Sequence, residues 1–575
     1  MRISTITIIS LYFCYSESLS FVEESEQNVN LQVATENGIV QGDERTTDIG
    51  KPFVAFEGIP YAQPPLKNLR FRAPQNPTPW NGVLNATQQS SNCFELRLRY
   101  LTINLAGKED CLYLNVYTPK TTSKKPKLFN RDNLLPVIVW VYGGGFVEGS
   151  ADFYGSKFLL DKNVVVVTFN YRLGALGFLS TGDSASPGNY GLKDQNAVLR
   201  WVNKNIHQFG GDPAKVTLSG QSAGSSSVIF HMISQRSRGL FSRAIAMSGD
   251  VTTRWSHQKY QKLVAFLFGA GAGIFTENTN ELVEKLREVD FEKIKISQTF
   301  TVLWRMFNVM QDGLVFTPTV EPEGPDSFLV GPPYELLLNG QFSRVPLMIG
   351  MVTHEIGFFM KFIYLFKPLL VVLFTLSPKL IPNVLLSPKR SIIVADDNTD
   401  MEVGLKIIRE YFSSSNSPFD NKAEEFLTDV FFMYPITRTV RAMSSFTPVY
   451  YYVNGHSDKF IKEEMEALDL PVDPNYKGTV HCEDLPLIWY NEKVLPPLQD
   501  KKIQTKMLQL WRNFMTTGNP TPGLEPAIGT LWPPVDNKTR VPYLFVDEDD
   551  VKIAYDYKKD KTDFWDNISN DYESN

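Results

Sequence analysis

The sequence has no excess of positive charge and little cysteine. Its 575 residues include 57 Lys and Arg against 63 Asp and Glu, which gives a net charge of −6. A chain without a basic surplus has little electrostatic attraction for nucleic acid or an anionic lipid surface. Nucleic-acid binding is therefore excluded as the main function. The hydrophobic content of 43% instead favours large packed cores over disorder.

Long apolar runs are also scarce. Past the N-terminus the nearest candidate is residues 358–376, which Lys361, Lys367 and Pro368 interrupt. About ten clean apolar residues remain, against the ~20 that a membrane-spanning helix needs. We expect no transmembrane segment here and interpret the stretch as a pair of core or pocket helices. Its apolar character also suits the lining of a lipophilic substrate site.

The first twenty residues have the pattern of a secretory signal peptide. Arg2 precedes an apolar run over residues 3–15, and small polar residues follow. This order predicts a signal at residues 1–20 and an extracellular product. The alternative is an ordinary buried strand at the start of the fold.

Removal of a signal would leave three of the four cysteines in an oxidising compartment. Cys14 would be lost, and Cys93 and Cys111 are the natural pair because they would close a short loop. Cys482 would then remain as a free thiol beside His481. Asn-x-Ser/Thr tripeptides, which fit a glycosylated secreted product, occur at Asn85, Asn537 and Asn567.

Strand-like and helix-like segments alternate along the chain, with no long linker, repeat or low-complexity block. Continuous rather than alternating apolarity indicates parallel strands covered on both faces. The order predicts an α/β fold with a doubly wound, mostly parallel sheet, formed by one large domain over residues 21–575. Residues 256–434 are least regular and predict helical insertions over the sheet. The predicted strands are 135–142, 164–169, 216–219, 244–247 and 449–453, and the clearest helices are 192–209 and 222–234.

A candidate nucleophile lies between the third of these strands and the helix that follows it. The motif is Gly220-Gln221-Ser222-Ala223-Gly224. In a strand–turn–helix context the glycines avoid clashes, and the turn lifts the serine hydroxyl above the sheet edge. The helix N-terminus there also favours a developing oxyanion. Taken without its context, the motif is common in ordinary turns.

Three glycines, residues 143–145, follow the strand at 135–142. Without β-carbons their backbone N–H groups can approach a ligand closely. The amides of Gly144 and Gly145, with that of Ala223, could form a three-donor oxyanion hole. A flexible turn and a phosphate loop are the alternatives, but a phosphate loop would continue with Lys and Ser or Thr, and Phe146 follows instead.

The general base and the acid should follow the serine in the order serine, acid, histidine. This order excludes His207, and the position of His231 within the elbow helix excludes that residue. Four histidines remain, of which His481 and His456 are the main rivals. For the acid we select Glu355, because it follows the short apolar strand 346–350, and catalytic loops often begin at such strand ends. A solvated surface carboxylate remains the alternative at this position.

These motifs resemble those of the type B carboxylesterase and cholinesterase family. The resemblance extends over nearly the whole mature chain and includes FEGIPYAQPP from residue 56, EDCLYLNVYTP from 109, FNYRLGALGFL from 169 and GNYGLKDQNAVLRWV from 188. It implies an α/β-hydrolase fold with a triad of Ser222, Glu355 and His481. It also implies the oxyanion donors Gly144, Gly145 and Ala223, the Cys93–Cys111 disulfide and a buried Arg70–Glu109 ion pair.

Departures from the family pattern narrow the range of expected substrates. The segment between Cys93 and Cys111 lacks the tryptophan that binds choline in cholinesterases, and Gln221 replaces their glutamate. A quaternary ammonium substrate would lose both its cation–π partner and its anionic partner. The set with GQSAG and GTVHCED looks like that of insect juvenile hormone esterases. Ile356 stands where many members have glycine after the acid.

The sequence thus predicts a secreted serine carboxylic-ester hydrolase that needs no metal or organic cofactor. We expect a small, lipophilic or xenobiotic carboxyl ester as substrate, including methyl esters of the juvenile-hormone type. The alternative is a catalytically weak extracellular binding or adhesion module of the same fold that sequesters lipophilic ligands. The intact serine, acid and histidine argue against that alternative.

Overall fold

The structure is a computed structural model, and it describes most of the chain from residue 31 onwards. All structural statements concern the described residues. The described ranges are 31–99, 102–120, 133–258, 260–306, 314–357, 397–412, 421–456, 478–491, 501–526, 528–536, 540–547 and 550–573.

A mixed sheet of eleven described strands forms the centre of the molecule, in the order β16-β15-β14-β13-β12-β11-β9-β10-β8-β4-β3. Two small sheets, β1-β2-β5 and β6-β7, lie outside it. The strands are β1 Gln32–Thr35, β2 Gly38–Gln41, β3 Asp43–Thr46, β4 Pro52–Pro60, β5 Val83–Asn85, β6 Glu95–Arg99, β7 Thr102–Ala106, β8 Tyr113–Pro119, β9 Leu135–Val141, β10 Val165–Phe169, β11 Gly211–Gln221, β12 Arg243–Met247, β13 Leu347–Val352, β14 Val449–Asn454, β15 Pro542–Val546 and β16 Val551–Tyr555.

The middle of the sheet is parallel. From β10 through β9, β11, β12, β13 and β14 to β15, neighbouring strands run in the same direction, and antiparallel pairs occur only towards the two edges. Every residue of β10, β13 and β14 is buried. Strands buried on both faces explain the continuous apolar runs in the sequence. The predicted α/β-hydrolase class is confirmed.

Helices pack against the sheet, and several of them occupy described parts of the range 256–434, which also contains strand β13. The described helices are α1 Lys157–Asp161, α2 Gly174–Phe178, α3 Tyr190–Asn205, α4 Ala223–Ile233, α5 Gln261–Gly271, α6 Thr279–Glu288, α7 Phe291–Met306, α8 Pro333–Leu338, α9 Asp397–Phe412, α10 Asn421–Thr428, α11 Tyr434–Ser444, α12 Lys501–Thr517 and α13 Lys559–Glu573.

The predicted boundaries differ from the observed ones by a few residues. Strand β11 is longer than the apolar segment 216–219, because its polar first half pairs with β9 across an irregular register. Helix α3 stops at Asn205, and a 3-10 turn continues to Phe209. The side chain of Asn205 donates from Nδ2 to the carbonyl of Trp201, and its Oδ1 accepts from the backbone N–H of Glu36. These two hydrogen bonds connect the end of the helix to a distant part of the chain.

Two long-range links implied by the family resemblance are present. A disulfide joins Cys93 and Cys111. Arg70 and Glu109 form a buried bidentate ion pair, with N···O distances of 2.7 and 2.8 Å. Cys482 is free, as predicted, and half-buried.

Several sequence predictions fall on parts of the chain that the structure does not describe. The signal at residues 1–20, the apolar stretch 358–376 and the glycosylation motif at Asn537 lie outside the described residues. The other two acceptor asparagines, Asn85 and Asn567, are exposed. No described helix is long and apolar enough to cross a membrane.

Candidate active site

Ser222 occupies a strained turn between β11 and α4. Its backbone has φ 58° and ψ −124°, a region that non-glycine residues rarely adopt. The turn is held because the Ser222 N–H donates to the carbonyl of Met247 at 2.8 Å, and the Ser222 carbonyl accepts from Ser226 at 3.0 Å. Strain stored at one residue in a rigid turn is typical of a nucleophile elbow.

The two glycines of the motif are required by close backbone packing. A Cβ added to Gly224 would lie 2.0 Å from the carbonyl oxygen of Val141, and one added to Gly220 would lie 2.4 Å from that of Gly224. Any side chain at these positions would push the elbow away from β9. The glycines of the motif therefore avoid backbone clashes, as the sequence predicts.

The three glycines after β9 lie directly against the elbow. A Cβ on Gly143 would be only 2.8 Å from the Cβ of Ser222. Gly144 and Gly145 have φ values of 106° and 60°, and the Gly144 carbonyl accepts from the N–H groups of Val147 and Glu148 at 3.1 and 3.0 Å. This tight turn, residues 143–149, is called the glycine loop below.

The three predicted oxyanion donors remain available at this junction. Among the described residues, the amides of Gly144, Gly145 and Ala223 have no hydrogen-bond acceptor. Ala223 is the first residue of α4, whose N-terminal amides have no partner within the helix. Three unsatisfied N–H groups beside a serine can bind a negatively charged oxygen.

His481 and Glu355 meet at the carboxyl ends of the strands. The Nδ1 atom of His481 lies 2.5 Å from Oε2 of Glu355, and the carboxylate is fully buried. The other oxygen of Glu355 accepts from the backbone N–H of Val352 at 3.0 Å, which fixes the acid at the end of β13. Glu355 is therefore not the solvated surface carboxylate that the sequence alone left open.

Ile356, which replaces a common glycine, does not disturb this loop. Its backbone is outside the left-handed region, where glycine would be favoured. Its N–H donates to Thr428 Oγ1 at 3.3 Å, and its side chain is buried. A β-branched residue is thus accommodated directly after Glu355.

The rival histidines lie elsewhere. His456 is buried next to β14, where its carbonyl accepts from Thr479 Oγ1 at 2.7 Å. The Nδ1 atom of His354 is 3.0 Å from Thr353 Oγ1, and burial lowers the pKa of this ring to about 4. Of the described histidines, His481 is the one whose ring meets Glu355.

Gln221 is the site residue whose contacts sequence reasoning missed. Its side-chain nitrogen lies 3.1 Å from Nε2 of His481 and 3.2 Å from Sγ of Cys482. Gln221 is 1% exposed. Its place directly before Ser222 was the only available signal, because His481 is 260 positions further along the chain.

The electrostatics of the site favour a charged imidazole. Burial opposes protonation of His481, but the neighbouring Cys482 and the Glu355 carboxylate outweigh it, so the pKa of the ring is raised well above 6.5. Burial together with the nearby Glu355 charge also raises the pKa of Asp484 to about 7. The site therefore stabilises the imidazolium that forms when His481 accepts a proton.

The family model for the carboxylesterase family matches residues 29–565. The chain belongs to the carboxylesterase family. A juvenile hormone esterase of Tribolium castaneum is 34% identical over 85% of this chain and 84% of its own length. Esterase E4 of Myzus persicae is 33% identical over 89% of this chain and 90% of its own length.

A solved structure supports the same assignment. The crystal structure of juvenile hormone esterase from Manduca sexta, with OTFP covalently attached, superposes with a TM-score of 0.79. The identity is 30%, and the match covers 94% of this chain and 99% of that chain. The protein is a carboxylic ester hydrolase with an α/β-hydrolase fold.

Proposed function

We propose that Ser222, His481 and Glu355 form the catalytic triad of this ester hydrolase. The observation that carries the proposal is the 2.5 Å contact between His481 Nδ1 and Glu355 Oε2, beside a serine in a strained elbow. In the resting site the side-chain nitrogen of Gln221 lies 3.1 Å from His481 Nε2. Formation of the Ser222–His481 hydrogen bond therefore belongs to the substrate complex, where catalytic hydrogen bonds tighten.

The reaction is a two-step acyl transfer. His481 Nε2 takes the hydroxyl proton as Ser222 Oγ attacks the ester carbonyl, and the resulting imidazolium is stabilised by Glu355. The proton then passes to the leaving alkoxide, so that an alcohol departs and an acyl-enzyme remains. Water, deprotonated by the same histidine, attacks this acyl group and releases the carboxylic acid with Ser222 regenerated.

The amides of Gly144, Gly145 and Ala223 are the oxyanion donors of this mechanism. They are supported by the contact between Gly143 and the elbow and by the lack of any described acceptor for the three N–H groups. Donors fixed in advance stabilise the transition state without reorganisation, and loss of one donor typically costs ~100 to 1000-fold in rate.

For the substrate we propose a lipophilic or xenobiotic carboxyl ester, including methyl esters of the juvenile-hormone type. Support comes from two relatives that are named juvenile hormone esterases. The missing choline-binding tryptophan and the neutral Gln221 weigh against a quaternary ammonium ester. Graded esters test this class: kcat/KM should rise with apolar chain length, and a flat or falling trend would exclude it.

We also propose that the protein is secreted and glycosylated. The pattern of residues 1–20, the Cys93–Cys111 disulfide and the exposed asparagines of two glycosylation motifs support an oxidising, extracellular environment. Expression in insect cells should place the protein in the medium, and a glycosidase should lower its apparent mass. Retention inside the cells without glycans would contradict the proposal.

The decisive experiment compares the purified wild type with Ser222→Ala on a chromogenic short-chain ester and a lipophilic methyl ester. Loss of both activities and of covalent labelling by an organophosphate supports the triad. The ratio of the wild-type rates separates a hormone-type from a general detoxifying substrate. A well-folded wild type that hydrolyses neither ester would favour the binding module.

A further inference from the structure

The disulfide loop contains a β-hairpin whose base is tightly fixed. Strands β6 and β7 pair between Cys93 and Cys111. At the base, the Phe94 N–H donates to the carbonyl of Lys108 at 3.0 Å, and a Cβ on Gly107 would lie 2.1 Å from the carbonyl oxygen of Cys93. The first residue of the hairpin, Glu95, is thus held two positions from a covalent anchor.

This hairpin docks on the glycine loop through two hydrogen bonds. The Glu95 carboxylate accepts from the backbone N–H of Gly149 at 2.9 Å, and the Leu96 N–H donates to the carbonyl of Val147 at 3.0 Å. Glu95 is 1% exposed. A buried carboxylate that accepts a backbone N–H forms a short, charge-assisted hydrogen bond.

The residue that Glu95 holds is the closing point of the glycine loop. A Cβ on Gly149 would be 2.7 Å from the carbonyl oxygen of Gly143, and Gly143 in turn contacts Ser222. Gly149 therefore packs directly against the backbone that leads into Gly144 and Gly145.

The charge of Glu95 is neutralised locally. Arg97, on the same strand, contacts the carboxylate at 2.6 Å. The Arg97 guanidinium lies over the ring of Phe153 at 5.0 Å from its centroid, and Phe153 follows the glycine loop in sequence. Arg97 therefore places a positive charge beside the carboxylate that accepts the Gly149 N–H.

We propose that Glu95 is a positioning residue that sets the oxyanion donors by holding Gly149. The inference rests on the proposed role of the Gly144 and Gly145 amides. Such donors act only when they lie ~2.7 to 3.1 Å from the oxygen that becomes negative. A small displacement of these amides should therefore reduce stabilisation of the transition state far more than it reduces substrate binding.

The test compares Glu95→Leu, which removes the acceptor, with Glu95→Gln, which keeps an oxygen at the same distance. For Glu95→Leu we expect kcat and kcat/KM to fall together by ~10 to 100-fold, with KM within about twofold of wild type. Inhibition by a trifluoromethyl ketone should weaken in parallel. Ser222 Oγ adds to the carbonyl carbon of the ketone, its proton passes to His481, and the carbonyl oxygen of the ketone becomes the oxyanion. Glu95→Gln should retain most of the activity.

Glu321 offers a matched control. It is 4% exposed, accepts from the Phe328 N–H at 2.9 Å and pairs with Lys193 at 2.6 Å, away from the glycine loop. Glu321→Leu should lower thermal stability without weakening inhibition by the trifluoromethyl ketone relative to substrate binding. If Glu95→Leu does not fold, Glu95→Asp withdraws the acceptor by one methylene and should show the same kinetic pattern.

The outcomes separate this inference from the proposed function. If Ser222→Ala is inactive and Glu95→Leu keeps the wild-type kcat, the positioning role is wrong and the triad stands. If Glu95→Leu and Glu321→Leu lose activity equally and in proportion to their folded fraction, Glu95 is only structural. If wild type lacks ester hydrolysis, the proposed function fails first.

Discussion

The side-chain nitrogen of Gln221 lies 3.1 Å from Nε2 of His481, the ring atom that faces away from Glu355. An amide nitrogen donates, so in the neutral imidazole this contact goes with an unprotonated Nε2 and a proton on Nδ1, which the Glu355 carboxylate accepts. This tautomer is the one that a general base requires. Gln221 thus favours the reactive tautomer of the neutral imidazole, whereas Cys482 and Glu355 favour the protonated ring.

Replacement of Gln221 by glutamate should shift the pH dependence of the enzyme. A carboxylate beside Nε2 would accept from the protonated ring and raise its pKa, by about one unit or more. Activity needs neutral His481 and is lost as the pH falls through this pKa, so the acid limb of kcat/KM should move to higher pH. The pKa of the wild-type ring is already raised well above 6.5, because Cys482 and Glu355 outweigh burial.

Gln208 is the matched control for this change. It lies on the surface, with its side-chain nitrogen 2.9 Å from Nε2 of His207. Gln208→Glu should leave the pH profile of kcat/KM unaltered. An identical acid limb in wild type and Gln221→Glu would show that Gln221 does not act on the titration of His481; Asp484, the other acid near that ring, would then be the next candidate.

The sequence predicts the centre of the sheet better than its edges or its contacts. The segment at 135–142 is continuously apolar because β9 is buried between helical layers, and this one-dimensional pattern is readable. The contact of Gln221 with His481, or of Glu95 with Gly149, depends on how distant segments are brought together, and no local pattern encodes it. For the same reason His456 and His481 could not be separated by residue reasoning alone, whereas the fold brings only His481 of the two to Glu355.

Gly224 should not tolerate even a methyl group. An added Cβ would lie 2.0 Å from the carbonyl oxygen of Val141, and overpacking of this kind costs typically 1 to 3 kcal/mol or more. Gly224→Ala should therefore lower the unfolding temperature and abolish most of the esterase activity. At Gly523 the same change meets no atom of the described residues within 4 Å, so Gly523→Ala should leave both unchanged. Wild-type stability of Gly224→Ala would contradict the packing argument.

The Arg70–Glu109 ion pair should be costly to break on one side. Arg70 also donates to the carbonyls of Leu286 and Val289 at 2.9 Å, so it links the start of the chain to the end of α6. Glu109→Leu leaves a buried guanidinium without its counter-charge and should reduce the unfolding free energy by about 3 to 5 kcal/mol.

A double substitution tests whether the lost charge balance is the cause. Arg70→Met with Glu109→Leu should recover part of the loss, measured by denaturant unfolding. Lys204→Ala, which breaks an exposed pair with Glu36, should have little effect. A double variant less stable than either single variant would indicate that the Arg70 contacts to the two carbonyls matter more than the charge.

Asp484 should make the stability of the protein depend on pH. It is fully buried, and neither carboxylate oxygen has a hydrogen-bond partner among the described residues. Burial and then the Glu355 charge raise the pKa of Asp484 from 3.8 to about 7. Between these values the folded state binds the proton more tightly than the unfolded state, so stability falls as the pH rises. The difference amounts to about 4 kcal/mol at most, since one pKa unit is about 1.4 kcal/mol.

Asp484→Asn removes this titration and should therefore stabilise the protein at pH 8 but not at pH 4.5, as measured by thermal unfolding at both values. Asp183 provides a control of opposite sign, because hydrogen bonds from Thr181 and Thr279 outweigh burial and lower its pKa. Asp183→Asn should reduce stability at neutral pH, and the loss should shrink as the pH falls below 4. If Asp484→Asn raises the stability equally at both pH values, the destabilisation at this site comes from burial of a polar group and not from burial of a charge.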